Sequence, residues 1–202
     1  MVGALAWVAL ACIEEPGRSS DRFADVVVRF EPGEGASFGH EGLPGVVLGA
    51  PGGTLDVASL GCEGEIVLGF EGAGVPDGPG PDLVVFENPF SEAFPEPGEV
   101  SVSVDGETWF VFACDPVTLE GCAGVGLTLA DPGSGIDPGD PELAGGDAFD
   151  LSSLAEAPAE VFFVRVVDRS REYWSARGQD YCDPGQGGSG GFDLDAVVAV
   201  HG

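Results

Sequence analysis

Residues 81–90 read PDLVVFENPF. Leu83, Val84, Val85 and Phe86 form an unbroken apolar run with β-branched and aromatic members, as a strand packed between two layers requires. Oxygen-bearing side chains bracket the run. Asp82 opens it, and Glu87 and Asn88 close it, Asn88 being the single asparagine of the chain. At strand ends such groups either close turns by hydrogen bonding or hold a cation.

Outward from this run, strand-like segments recur with Gly, Pro and Asp between them: ADVVVRF, GVVLGAP, GEIVLGF, EVSVSVD, TWFVFAC, VFFVRVVD and FDLDAVVAV. Strict alternation before Asp105-Gly106 makes EVSVSVDGETWFVF the clearest hairpin. Helical periodicity is nearly absent, and FDLSSLAEA is the best short helix. These short strands, joined by turn residues and without an internal repeat, predict an all-β fold: a β-sandwich, specifically a jelly roll, with long acidic and Gly-rich loops.

The chain has 202 residues, enough for one domain with a real core. Apolar residues supply 44% of it, so its charge does not imply disorder. Thirty-five acidic residues face seven basic ones, all arginine, for a net charge of -28. That balance excludes nucleic acid as a partner and disfavours anionic lipid surfaces. Two uses of the acidity remain: adaptation to salt, where screening shortens repulsion, and binding of a divalent cation.

The N-terminal MVGALAWVALAC has an apolar run too short to span a bilayer. It resembles the end of a signal peptide, and Ala9-Leu10-Ala11-Cys12 resembles a lipobox. Residues 1–12 are read as this export segment, with Cys12 as the lipidated residue, and an ordinary signal peptide is the alternative. Residues 13–24 then form a short tether and 25–202 a single β-sandwich domain. The chain is expected to be exported, either as an outer-membrane or cell-surface lipoprotein touching membrane only through its anchor, or as a secreted protein. Four further cysteines suit disulfides. Cys114 and Cys122 flank the turn DPVTLEG and are the first pair expected, which leaves Cys62 with Cys182. Zinc is disfavoured, because no CxxC pair exists and neither His40 nor His201 has ligand spacing.

Two connections exceed what folding alone needs. Residues 130–150, ADPGSGIDPGDPELAGGDAFD, carry five aspartates and have the chemistry of a cation-binding loop. Residues 168–191 carry Tyr173, Trp174 and Tyr181 among arginines and have that of a recognition loop. Taken in order, GVVLGAPGG, SLGCEGEIVLGFEG, DGPGPDLVVFENPF, EPGEVSVSVDGETW, CAGVG, AGGDAFDLSSL, VRVVDRS and GFDLDAVVAV resemble a group of poorly characterised bacterial "cell surface protein" lipoproteins, of the kind common in myxobacteria. The resemblance implies a surface location more strongly than an activity. The last strand, GFDLDAVVAV, is also similar to the closing strand of jelly-roll, galactose-binding-like carbohydrate-binding modules. On that likeness Leu194 takes the buried aliphatic place and Asp195 that of a frequent calcium ligand, while Ala196 replaces a second polar residue.

Strand alternation places Asp193 and Asp195 on one face and Phe192, Leu194 and Ala196 on the other. The candidate ligands of a structural calcium ion are therefore Asp82, Glu87, Asn88, Asp147, Asp150, Asp193 and Asp195. Calcium suits such a set better than magnesium, which demands octahedral order and keeps its waters. Tyr173, Trp174 and Tyr181 are read as a stacking platform for a sugar ring or a peptide side chain, with Arg177 as a planar donor. The alternative is that these rings cover a sheet. The GGSGG run matches a nucleophile pattern only formally, lacking the strand and helix that motif requires. The expected role is a non-catalytic, calcium-stabilised surface module that recognises a glycan or a partner protein. A polysaccharide hydrolase using paired carboxylates and a purely structural surface component are the alternatives.

Overall fold

The computed structural model describes residues 22–53, 55–88, 94–180 and 188–201. Cys12, Tyr181 and Cys182 lie outside these residues. Among the described residues eleven strands run in order: β1 (Val26–Glu31), β2 (Ala58–Ser59), β3 (Glu65–Gly69), β4 (Val75–Pro76), β5 (Leu83–Glu87), β6 (Gly98–Ser103), β7 (Phe110–Val111), β8 (Asp147–Phe149), β9 (Glu160–Val161), β10 (Phe163–Asp168) and β11 (Asp193–Ala199). A five-stranded sheet has the order β1-β3-β10-β6-β7, and a four-stranded sheet the order β2-β11-β5-β8. β4 and β9 pair as a separate ribbon. Every pairing is antiparallel.

The two sheets pack face to face in a sandwich-like arrangement, as their shared core shows. Ile66, Leu68, Val100, Val102, Val164 and Val166 from the first sheet meet Leu83, Val85, Phe149, Leu194 and Val197 from the second. Alternate residues of β5 face the opposite way. Val84 and Phe86 join Ala196 and Val198 in an outer cluster, which Ala130, Ala144 and the partly buried Ile136 cover. This is why LVVF is unbroken: the aspartate-rich connection folds back over the outer face and buries it. Gly146 (φ 68°) lets that connection pass close, since a Cβ there would lie 2.8 Å from both Val85 O and a ring carbon of Phe86.

The expected hairpin forms between β6 and β7, with Ser101 opposite Val111. Its tip is tied by Asp105, whose carboxylate accepts the N–H groups of Glu107 and Thr108. Three sequence expectations are corrected. GVVLGAP is not a strand: behind Pro44, Gly45–Val47 make a 3-10 turn that packs the buried Val47 into the core. FDLSSLAEA is not a helix. Phe149 ends β8, and only Leu151–Ser153 turn, because Phe149 and Leu151 are drawn into the same core. Among the described residues the one α-helix, α1 (Ser170–Ser175), lies instead inside the recognition loop. Among the described residues, no helix is long and apolar enough to cross a membrane.

Candidate functional site

β5 separates the candidate ligands. Asp82 and Glu87 stand at its two ends, about 16 Å apart at 3.3 Å per residue, so no single ion reaches both. At the Asp82 end, Asp77, Asp82 and Asp150 bring carboxylate oxygens within 4.8 Å of one another. Three connections deliver them: Asp77 follows β4, Asp82 precedes β5 and Asp150 follows β8. Backbone groups hold the trio in place. Asp82 is 0% exposed, and its oxygens accept the N–H of Gly78 at 2.6 Å and of Leu151 at 2.7 Å. Asp150 accepts the N–H of Ser152 at 2.8 Å. Asp77 stays exposed. His201 Nε2 lies 3.6 Å from Asp82, the nearest charge-capable partner of the trio. Asp77 was missed from sequence; its signal is the VPDGPGPD turn, which returns the chain so that two aspartates flank one Gly/Pro loop.

The other end of β5 is buried and more acidic. Glu87 is 0% exposed, and among the described residues its carboxylate makes no hydrogen bond of good geometry, though the Asp193 backbone N–H acts on it. Burial pushes its pKa well above the usual carboxylate range, and the charges of Glu96, Asp193 and Asp147 push it further. Asn88 enters through its backbone, its N–H donating to Asp193 O at 3.2 Å. Glu96, also buried, was not foreseen; it stands between Pro95 and Pro97 just before β6. Asp147 faces the same inner side as Val85, its register partner. Its oxygens accept the N–H groups of Val125 and Gly126 at 3.0 Å, and burial raises its pKa.

Asp193 and Asp195 do not share an ion. A bulge between Leu194 and Ala196 breaks the alternation, so Leu194 enters the inner core and Ala196 the outer cluster. Asp193 accepts the hydroxyl of Ser59, while Asp195 accepts the N–H groups of Gly52 at 2.7 Å and Gly53 at 3.3 Å. Burial raises Asp193 to about 7, with the charge of Asp168 adding to it. Asp195 is raised to about 6, again chiefly by burial. Asp195 thus pins the 52–53 turn against β11 rather than joining either acidic group.

Of the expected stacking platform, Trp174 is packed away and Tyr181 lies outside the described residues. Trp174 is 8% exposed, its ring 4.5 Å from that of Phe94 and edge-on to Tyr173. Arg177 lies over the Tyr173 ring at 3.5 Å and donates to the carbonyls of Tyr173 and Val117. These contacts make the segment a packed helix rather than an open shelf. An open concavity lies elsewhere, between the edge strands β7 and β8 of the two sheets. It is a groove of about 600 Å³, with Val111, Phe112, Leu119, Phe149 and Leu154 among its apolar lining. Both Asp147 and Asp150 line it, so β8 joins the groove to the two acidic groups. One wall is the turn closed by the Cys114–Cys122 disulfide, the first pair expected. Cys62 is disulfide-bonded as well, but the pairing expected with Cys182 falls outside the described residues.

The described arginines are engaged away from these sites. Arg22 pairs with Asp137, Arg29 and Arg165 with Glu65, Arg169 with Glu172, and Arg171 with Glu34 and Glu63. The acidic groups at both ends of β5 therefore have no guanidinium against them among these pairs. No protein-family model matches the chain, and no curated protein matches it.

Proposed function

We propose that the chain is a non-catalytic surface module, stabilised by calcium, that binds a glycan or a partner protein in the groove between β7 and β8. The observation that carries this reading is the convergence of Asp77, Asp82 and Asp150 from three connections. Three carboxylates so close repel one another unless a cation or a proton intervenes. Calcium takes six to eight oxygens in flexible geometry, which suits ligands on loops. Because Asp150 also lines the groove, an ion here orders the wall formed by Ser153, Leu154 and Ala155. Ligand binding and calcium binding are then coupled through that wall.

A binding role fits the groove better than hydrolysis. Of its two carboxylates, Asp147 has both oxygens engaged by backbone N–H groups, which suits a fixed acceptor rather than a proton donor. Export, and anchoring through Cys12, complete the reading. The test is thermal unfolding in calcium, in magnesium and in EDTA at fixed ionic strength. Calcium stabilises by RT ln(1 + [Ca]/Kd), about 2.7 kcal/mol at one hundred times Kd. An unfolding temperature that is the same in calcium and in EDTA refutes the metal. Turnover of a polysaccharide that is lost in Asp147→Asn refutes the non-catalytic role.

A further inference from the structure

An apolar strip continues the groove between β7 and β8 across the surface. It is built by residues 125–130, VGLTLA, which run beside the segment leading into β8. Thr128 bridges Gly145, the N–H of Gly146 donates to Leu127 O at 3.0 Å, and that of Leu129 to Ala144 O at 2.8 Å. Burial alternates along the stretch, so its side chains divide between two faces. Inward, Thr128 donates its hydroxyl to Glu87 O, and Ala130 joins the outer cluster over β5. Outward, where a solvated face would carry polar groups, stand Val125, Leu127 and Leu129. Leu129 lies over Gly145, where an added Cβ would be 3.0 Å from its Cγ, and Leu143 stands two residues before that glycine. Val125 also lines the groove, as Val111 does on the facing edge. These five side chains are 39% to 60% exposed and make up most of the large apolar groups open to solvent among the described residues. A gathering of that kind on so acidic a surface marks a place that another molecule covers.

Carboxylates rim this surface. Glu120 adjoins Gly121 and Glu156 adjoins Ala155, both groove-lining positions, while Asp131 follows Leu129 by two residues and Glu142 precedes Leu143. All four are exposed, and none of them belongs to an ion pair among the described residues. Unpaired negative charge around an aliphatic centre selects a partner with positive charge around its own apolar groups. A second copy of this chain is the wrong partner, since each copy carries a net charge of -28. A glycan fits poorly as well. The two aromatic rings of the groove lining, Phe112 and Phe149, are buried, which leaves a sugar no ring to stack on. β7 and β8 are the last strands of their sheets, so the backbone edges flanking the groove have no further strand beyond them.

We propose that the groove and strip take an extended segment of a partner protein in which Val, Leu or Ile alternates with Lys or Arg. Its backbone lies along a strand edge, its apolar side chains cover Val111, Val125, Leu127 and Leu129, and its cations face the acidic rim. The proposal rests on the binding reading above and narrows it to a protein ligand.

The experiment presents the protein, in calcium, to an array of short synthetic peptides in which Val or Leu alternates with Lys, with Ser or with Glu, and to a glycan array beside it. Wild type retains the Lys series at least about tenfold more tightly than the Glu series, and that binding weakens as salt is raised. Leu127→Ser/Leu129→Ser weakens it at least about tenfold, while the unfolding temperature and its calcium-induced shift stay those of wild type. Should the double variant fail to fold, Leu143→Ser, at the most exposed position of the strip, takes its place with the same expected loss. Equal retention of the Lys and Glu series, or wild-type affinity in the variants, overturns the proposal. Retention of a glycan and of no peptide overturns it too, yet leaves the chain a binding module. Retention of neither overturns it as well, and self-association in high salt that Leu127→Ser/Leu129→Ser abolishes would then assign the strip to a second copy. Turnover of a polysaccharide removes the binding reading itself.

Discussion

Asp82→Asn tests how the start of β5 is held. In the wild type each carboxylate oxygen accepts one backbone N–H, Gly78 at 2.6 Å and Leu151 at 2.7 Å, and the residue is fully buried. An asparagine keeps the shape but turns an NH2 toward one of these donors, whichever way the amide is flipped. The donor left without an acceptor costs about 1–3 kcal/mol, and the surviving bond, no longer charge-assisted, loses about 1 kcal/mol more. The expected loss is therefore about 3 kcal/mol, or roughly 6–12 °C for a domain of this size. Equilibrium urea unfolding in EDTA isolates this contribution from any metal, and an unchanged m-value confirms that compactness is preserved. Amide exchange should show Gly78 and Leu151 losing protection before the rest of β5. A loss below about 1 kcal/mol in EDTA would mean that these two bonds do not hold the strand entrance, and the reasoning fails.

Stability should fall as pH rises through the mildly acidic range in metal-free buffer. Burial raises Asp168 and Asp195 to about 6 and Asp193 to about 7 from 3.8, so the folded state holds protons that the unfolded chain has released. The stability these groups contribute is complete below 3.8 and is lost as pH climbs through 6 to 7. Urea unfolding at pH 5 should exceed that at pH 7.5 by at least about 2 kcal/mol, and a rise across this window would contradict the burial. Gly146→Ala should cost about 2–4 kcal/mol, from its positive φ and the contact with Val85 and Phe86, and chemical denaturation measures it directly. Trp174→Ala should destabilise by about 3–5 kcal/mol as a core truncation. If it instead leaves stability intact and weakens binding to a glycan array, Trp174 is a ligand platform after all.

The central strand was legible because its apolar run is continuous, and only a strand covered on both faces needs that. What covers it was not legible. Ala130, Ile136 and Ala144 are scattered among aspartates, glycines and prolines, with no period to mark a buried face. That loop was read as cation-binding: its Asp150 joins the trio, while Asp137 and Asp140 cap local turns through Gly139, Glu142 and Leu143. The pairing of Asp193 with Asp195 failed for a definite reason. A bulge shifts register by one residue, and nothing in FDLDAVVAV announces it. Asp82 and Asp150 do come together, since β8 pairs with β5 and carries Phe149 opposite Leu83. Strand partners, however, could not be assigned from spacing alone. Trp174 was read as part of a stacking platform, with packing over a sheet as the alternative, and a six-residue helix turns it inward.

The most direct test of the calcium reading is the calcium-induced shift in unfolding temperature of Asp77→Asn against wild type. Asp77 is the exposed member of the trio, so its replacement leaves the fold's own hydrogen bonds to Asp82 and Asp150 in place. The account predicts equal unfolding temperatures in EDTA and a calcium-induced rise that is much smaller in the variant. An equal rise in both proteins would contradict it, and the trio would then be three turn-closing aspartates that happen to be neighbours.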